Sequence, residues 1–304
     1  MAAIRLERRP HERVWGRQEL PPGFRDCARN GDPVGEIWFQ NGARDALLVK
    51  YLFTSDRLSI QVHPDDAAAK AAGHPGGKDE AWLVIDAEPG AVIGLGLKRR
   101  ISKARLREAA LDGSIEQLID WRPARAGDSF YSPAGTIHAI GGGLSLIEIQ
   151  QNSDVTYRLY DYGRPRELHL AEAVAAARPA PLPNGSTTTE QAPGRRLLTP
   201  GGRFSVERWT LAGEHEIGAG GELLVIPLKR SGRIDGNSLR PASVWRIDGQ
   251  ARLDGGVDLL AAYPGPPRDD LVRAASSGSK ARERRACPTS TADRAPPACR
   301  RCRA

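Results

Sequence analysis

The sequence is poor in cysteine and in long apolar runs. Its 304 residues include four cysteines, of which only Cys27 lies outside the last eighteen residues. A lone cysteine cannot build a disulfide framework, so we expect a reducing, cytoplasmic location. No stretch approaches the ~20 uninterrupted apolar residues of a membrane helix, and the first residues lack the apolar core of a secretory signal. We therefore expect neither a membrane protein nor a disulfide-rich secreted one.

The basic charge is confined to one end of the chain. The formal net charge is +7, and residues 273–304 carry nine Lys or Arg against Glu283 and Asp293, so residues 1–272 are neutral overall. Large aliphatic and aromatic residues are absent after Val272. Such a segment cannot bury enough apolar surface to offset its ordering entropy. We predict a disordered basic tail over 273–304.

This tail is a weak candidate for binding nucleic acid or metal. It has no aromatic residues between its charges on which bases could stack. Cys299 and Cys302 form a single CxxC pair, whereas a zinc site of this type needs a second pair. We expect neither a nucleic-acid partner nor a membrane partner.

Short β-type runs dominate the remaining sequence. Gly, Pro and Asp separate these runs, which indicates an all-β sandwich or barrel. Helical spacing is found at two places, 102–111 and 167–177. The runs occupy 46–53, 58–62, 81–87, 91–97, 129–132 and 144–150, then 203–213, 222–228, 243–249 and 258–265.

The composition divides the chain into two β units. The segment 181–196 has the Pro, Gly, Ser and Thr content of a linker. We predict a catalytic domain over 1–180, this linker, a smaller β domain over 197–272 and then the tail. The smaller domain has no histidine after His215, so it cannot repeat a histidine-rich site.

One motif gives a histidine a defined position. Gly127, Pro133, Gly135 and His138 have the spacing G-x5-P-x-G-x2-H, which is the second sequence motif of the cupins. Gly127 turns the chain into a strand, and Pro133 with Gly135 makes a tight bend. The returning strand would aim His138 into a barrel, where a neutral imidazole is a good ligand for a divalent metal.

Further candidate ligands precede this motif. Gln61 and His63 are two residues apart on a predicted strand and therefore share a face. Glu80 begins the next strand, two residues after Lys78. Gln61, His63, Glu80 and His138 form a mixed nitrogen and oxygen donor set that suits Zn²⁺, with Fe²⁺, Co²⁺ and Mn²⁺ as alternatives.

Four segments together resemble a known family. "LSIQVHPDD", "GKDEAW", "FYSPAGTIHAI" and "IEIQQNSDVTYRLYDYGRPRELHL" are similar to the type I mannose-6-phosphate isomerases (phosphomannose isomerases), in particular their short bacterial form. The resemblance implies a cupin (jelly-roll) barrel followed by a degenerate cupin-like unit. It also implies one zinc per chain, bound by the four ligands above, and interconversion of mannose 6-phosphate and fructose 6-phosphate.

The resemblance places Lys78 and Arg158 in the active site. Isomerisation through a cis-enediol needs stabilisation of developing oxyanions and a group that carries a proton. Arg158 could stabilise the enediolate or bind phosphate, and Lys78 could do either. The proton carrier stays open among Lys78, Glu80, a water held by the metal, and another carboxylate such as Asp161. Ser59, on the same predicted face as Gln61, is a candidate for substrate binding.

Two other functions fit the same residues. A catalytically silent cupin could bind a sugar for regulation or storage, and an isomerase could act on a related sugar or sugar phosphate. The presence of both Lys78 and Arg158 favours catalysis over silent binding.

Overall fold

A computed structural model describes most of the chain. The described residues are 3–28, 31–40, 45–183, 188–199, 202–218, 220–229 and 232–275. Within them no helix is long and apolar enough to cross a membrane. The predicted tail lies outside the described residues from 276 onward; its first residues, 273 and 274, belong to the last strand.

Strands make up most of the regular secondary structure among the described residues. In chain order the first twelve are β1 (Ala3–Arg5), β2 (Glu7–Arg17), β3 (Val34–Gln40), β4 (Leu47–Phe53), β5 (Ile60–Val62), β6 (Glu80–Ala87), β7 (Val92–Leu97), β8 (Ile119–Pro123), β9 (Ser129–Ser132), β10 (His138–Ile140), β11 (Leu144–Gln151) and β12 (Tyr157–Tyr160). The others are β13 (Thr189–Ala192), β14 (Arg195–Leu197), β15 (Phe204–Leu211), β16 (Glu214–Ile217), β17 (Glu222–Pro227), β18 (Arg233–Ile234), β19 (Asn237–Ser238), β20 (Trp245–Asp248), β21 (Ala251–Asp254), β22 (Val257–Pro264) and β23 (Val272–Ala274). The helices are α1 (Asp66–Ala71), α2 (Lys103–Asp112), α3 (Ile115–Leu118) and α4 (Leu170–Ala176). The predicted all-β class with a few helices is confirmed.

The strands form four sheets that pack face to face. The first two have the orders β12-β5-β10-β7-β8 and β2-β3-β4-β11-β6-β9, and the cavity described below lies between them. The other two have the orders β1-β20-β17-β22-β15-β14-β13 and β19-β18-β21-β16-β23. The first pair of sheets is open rather than closed into one continuous barrel.

Strand β4 shows how the sequence specifies this packing. One face of the strand lies in an apolar cluster that it shares with the seven-stranded sheet. The cluster contains Leu47, Val49, Tyr51 and Phe53 of β4 and Phe204, Val206 and Leu260 of that sheet. The alternate residues Lys50 and Leu52 line the cavity on the other face. Because both faces are covered, the strand reads as an almost unbroken apolar run.

Helices cover the outer face of the five-stranded sheet that contains β5 and β10. Leu106 of α2 and Ala173 of α4 are fully buried against Ile60 and Ile137. Helix α2 begins as predicted, because the Ser102 side chain accepts a hydrogen bond from the Arg105 N–H. Helix α4 begins at Leu170 rather than 167, since the backbone just before it is bonded to Arg158.

The two halves of the chain are joined by a strand pairing that the local sequence does not predict. β1 pairs with β20, so the first strand belongs to the sheet of the second half. Strands β13 and β14 lie largely within the segment predicted as a linker. The division into independent domains stays a prediction.

Candidate metal centre and active-site cavity

The glycine and proline motif folds into the turn that carries His138. Gly127 and Gly135 adopt φ values of +95° and +85°, which favour glycine. The Gly135 N–H donates to the His63 carbonyl oxygen at 2.8 Å, and the Thr136 N–H donates to the Pro133 carbonyl oxygen at 3.1 Å. The turn is thereby fixed directly against the strand end that bears His63.

Backbone carbonyl groups fix the orientation of both imidazole rings. Nδ1 of His63 lies 2.9 Å from the Val155 carbonyl oxygen, and Nδ1 of His138 lies 3.0 Å from the Thr136 carbonyl oxygen. A carbonyl oxygen can only accept, so each Nδ1 carries the proton and each Nε2 keeps a free lone pair. Burial lowers the pKa of His63 to about 3 and also lowers the pKa of His138, which keeps both rings neutral.

Glu80 lies between the two free Nε2 atoms. Its Oε1 is 3.2 Å from Nε2 of His63, and its Oε2 is 3.3 Å from Nε2 of His138. All three side chains are about 1% exposed, and their ligand atoms lie within 4.8 Å of one another. Nε2 of His63 and Oε2 of Glu80 have no hydrogen-bond partner. Each of these two buried atoms has a lone pair and no partner, and a divalent cation bound between them would supply the partner.

Gln61 completes the cluster from the neighbouring strand. It pairs directly with His138 across β5 and β10, and its amide nitrogen lies 3.3 Å from Nε2 of that residue. Ser59 donates from Oγ to the amide oxygen of Gln61 at 3.2 Å. The four residues predicted as metal ligands therefore meet at one point.

Lys78 supplies a buried positive charge to this cluster. Its Nζ lies 2.9 Å from Oε1 of Glu80, and its side chain is 5% exposed. Burial alone would lower the pKa of Lys78, but the carboxylates of Glu80 and Glu148 outweigh it and raise the pKa. Burial would raise the pKa of Glu80, but the ammonium group of Lys78 beside it holds that pKa well below its usual range. Lys78 thus stays an ammonium group and Glu80 a carboxylate.

A cavity of about 380 Å³ opens beside the cluster. Every predicted substrate-binding residue, namely Ser59, Lys78 and Arg158, lines it. Arg158 pairs with Gln61 across β12 and β5, so its backbone lies next to that of a candidate ligand. Its Nε is buried without a hydrogen-bond partner, while one terminal nitrogen donates to the Glu167 carbonyl oxygen.

The cavity wall contains charged residues that the sequence reasoning missed. Lys50 and Glu148 face each other from β4 and β11, and Arg166 adds a second guanidinium beside Arg158. Lys50 and Glu148 each stand alone among apolar neighbours in runs that read as buried strand. A single charge at such a position was the available signal, because an unpaired buried charge is too costly to be incidental. The remaining lining residues are Arg13, Trp15, Glu36, Leu52, Leu58, Ile140, Asp154 and Thr156.

Asp161, one of the alternatives for proton transfer, does not line this cavity. Its carboxylate binds Nε and Nη2 of Arg166 at 2.5 and 2.7 Å and also accepts from Arg164. It is 2% exposed. That interpretation of Asp161 is wrong, and the residue instead holds Arg166 in place. The triple glycine 141–143 connects β10 to β11, as expected of a turn.

Comparisons with known proteins agree with this geometry. No protein-family model matches the sequence. The mannose-6-phosphate isomerase of Streptococcus mutans is 39% identical over 204 residues, which are 62% of each chain. YvyI of Bacillus subtilis, named as a mannose-6-phosphate isomerase, is 40% identical over 226 residues, which are 67% of this chain and 71% of that protein. The aligned region thus spans less than two thirds of the Streptococcus protein and more than two thirds of the Bacillus protein.

Solved structures show the same fold. A mannose 6-phosphate isomerase from Bacillus subtilis superposes with a TM-score of 0.73 at 28% identity, over 86% of this chain and 100% of that one. A zinc-bound mannose 6-phosphate isomerase has a TM-score of 0.67 at 16% identity, over 87% of this chain and all of that one, which speaks for the fold alone. The expected cupin fold is confirmed. By the identity and coverage of its Bacillus relative, the chain belongs to the mannose-6-phosphate isomerase family.

Proposed function

We propose that this protein is a metal-dependent aldose–ketose isomerase that interconverts mannose 6-phosphate and fructose 6-phosphate. The observation that carries the proposal is a cavity beside a His/Glu/His cluster, lined by a buried lysine and by an arginine whose Nε has no hydrogen-bond partner. Membership of the isomerase family supports the same reaction. Its partner is then a small sugar phosphate, and the lone described cysteine, Cys27, agrees with a cytoplasmic location.

The cluster fits one divalent metal, and we propose zinc. His63 and His138 would bind it through Nε2 and Glu80 through a carboxylate oxygen. Gln61 would bind through its amide oxygen once the amide turns, because it now presents its nitrogen to His138 and its oxygen to Ser59. Two imidazoles with oxygen donors suit zinc, and a mannose 6-phosphate isomerase of the same fold binds zinc in its solved structure. The metal, when bound, polarises the carbonyl and hydroxyl oxygens at C1 and C2 of the sugar.

Lys78 stabilises the negative charge that develops on the substrate. Its ammonium group is buried, held by Glu80 and aimed into the cavity. A fixed cation in a site shielded from water stabilises an oxyanion more strongly than water does. The raised pKa of Lys78 makes it a permanent cation rather than a base. We therefore assign it to charge stabilisation and substrate orientation.

Glu148 is our candidate for the group that carries the proton. It lines the cavity, and burial together with the nearby Glu80 carboxylate raises its pKa, which makes it a stronger base than an exposed carboxylate. Its carboxylate would remove the proton from C2 of mannose 6-phosphate, so that the C–H electron pair forms the C1–C2 double bond. The same proton would then be delivered to C1 while the hydroxyl proton moves from O2 to O1. Atoms and charge balance without another reactant.

The substrate's phosphate would lie against Arg158 and Arg166. Arg158 and Arg166 both line the cavity, and Arg166 is close enough that, after burial, its charge lowers the pKa of Arg158. Asp161 neutralises Arg166 only in part, because Arg164 shares the same carboxylate. Two adjacent cations form a site for a dianion. Ser59 would add a hydroxyl group on the same side of the cavity.

A coupled assay of the purified protein tests this proposal. With mannose 6-phosphate and stoichiometric zinc, we expect formation of fructose 6-phosphate that chelation abolishes and zinc restores. Binding of the sugar phosphate without turnover would instead establish the silent sugar-binding alternative. Turnover of a different sugar phosphate alone would establish a related isomerase.

A further inference from the structure

Asp79 lies between Lys78 and Glu80 but is turned away from the cavity. Lys78 and Glu80 both line the cavity, whereas Asp79 does not, as expected from the alternation of side chains along an extended segment. Asp79 is nevertheless buried, with only 9% of its surface exposed. A buried carboxylate is costly unless it accepts hydrogen bonds. The groups that donate to Asp79 therefore indicate its role.

The two carboxylate oxygens of Asp79 bind two different parts of the site's frame. Oδ1 accepts from the Ala134 N–H at 2.9 Å, and Oδ2 accepts from the Tyr131 hydroxyl. Ala134 belongs to the turn that leads to His138, and Tyr131 belongs to β9, which pairs with β6. One side chain therefore connects the strand of Glu80 to the turn of His138.

The backbone of Asp79 is fixed on its other side. Its N–H donates to the amide oxygen of Gln151 at 2.9 Å, and its carbonyl oxygen accepts from the Gln151 N–H at 3.1 Å. The same Gln151 donates from Nε2 to Asp66 at 3.0 Å, and Asp66 pairs with Arg203 at 3.0 Å. The residue thus cannot shift without breaking contacts to β11 and to the turn together.

We propose that Asp79 is a positioning residue that sets the spacing of Glu80 from His138 and the direction of Lys78. This inference rests on the proposed function, since it gives Asp79 its effect through the metal and the charge-stabilising lysine. Metal ligands tolerate displacements of only about 0.2 Å, and loss of an outer hydrogen-bonding partner typically weakens metal binding about 10- to 100-fold. The carboxylate matters because it accepts from both groups that face it, and hydrogen bonds to a charged acceptor are stronger than neutral ones.

Asp79→Asn separates positioning from packing. The amide keeps the shape, and its oxygen can still accept from the Ala134 N–H, but its NH₂ group then faces the Tyr131 hydroxyl, which must turn and accept. The charge-assisted bond is thereby replaced by a weaker neutral one. We expect zinc affinity, measured by competition with a chelator, to fall about 10- to 100-fold. At saturating zinc, kcat should fall while KM for mannose 6-phosphate stays within about twofold, because the phosphate contacts are untouched. Tyr131→Phe removes a single hydroxyl donor and should give a smaller loss of the same kind.

Asp258→Asn is the matched control. Asp258 is 8% exposed and accepts two hydrogen bonds from Arg208 in the second half of the chain. Its replacement should lower the melting temperature but leave zinc affinity unchanged. Unchanged zinc affinity and kcat in both Asp79→Asn and Tyr131→Phe, or an equal loss in Asp258→Asn, would overturn the inference. A wild-type protein that binds no zinc would refute the proposed function, and the inference with it.

Discussion

Lys50 and Glu148 form an ion pair in the middle of two otherwise apolar strands. They are direct cross-strand neighbours on β4 and β11, with Nζ 3.3 Å from Oε1 and side chains 3% and 6% exposed. Glu148 also accepts from Nε1 of Trp82 at 2.8 Å, and Lys50 lies 4.5 Å from the ring centre of Trp38. Burial of two charges costs desolvation energy that an apolar pair would not, so we attribute the pair to the cavity that it lines.

Glu148→Gln tests the proton carrier. The amide keeps the size of the side chain but cannot take a proton, so kcat should fall about 10²- to 10⁴-fold with zinc content preserved. Steady-state kinetics and elemental analysis measure the two effects. Glu222→Gln is the control, because burial also raises the pKa of Glu222 but that residue accepts backbone N–H groups of Ala46 and Leu47 outside the cavity. A Glu148→Gln enzyme that retains more than a tenth of wild-type kcat would exclude Glu148 as the base.

The same pair predicts a stability effect that is independent of catalysis. Lys50→Met leaves the Glu148 carboxylate buried without its cation and should lower the free energy of unfolding by about 3–5 kcal/mol. Adding Glu148→Gln removes the unpaired charge, so the double variant should regain much of this loss. Denaturant unfolding of the metal-free proteins measures the coupling between the two sites. If the loss of stability in the double variant equals the sum of the losses in the two single variants, the residues do not act as a pair.

His138→Ala tests the metal centre. Wild-type protein should contain about one zinc per chain, and the variant should lose nearly all of it, because removal of one imidazole leaves Glu80 and His63 without a complete donor set. His215→Ala, a substitution in the strand β16 of the second half, should leave the zinc content unchanged. Elemental analysis after gel filtration provides the measurement. Equal zinc in wild type and His138→Ala would remove His138 from the ligand set.

The candidate ligands could be selected from the sequence because they have local signatures. The spacing of Gly127, Pro133 and Gly135 places His138 at the start of its strand, and the alternation of Gln61 and His63 puts them on one face. Lys50 and Glu148 were not predicted as site residues because the sequences around them resemble any buried strand. Only the packing of the two sheets shows which face of β4 lines a cavity. Pairing of β1 with β20 depends on contacts between residues more than 200 positions apart. No local pattern specifies such a contact.

The role of Arg158 can be decided by the kinetic parameter that its variants change. If its cation stabilises the enediolate, Arg158→Ala should keep zinc and fold but lose kcat by about two orders of magnitude or more, as expected when a preorganised charge is removed from a transition state. If it binds phosphate, KM should rise instead and the loss should soften at saturating substrate. Arg158→Lys should rescue little in either case, because a point charge lacks the planar fork of donors. Arg122→Ala is the control, since Arg122 pairs with Asp120 and the Leu182 carbonyl oxygen and does not line the cavity. Steady-state kinetics with mannose 6-phosphate measure both parameters, and wild-type kcat/KM in Arg158→Ala would exclude this residue from the reaction.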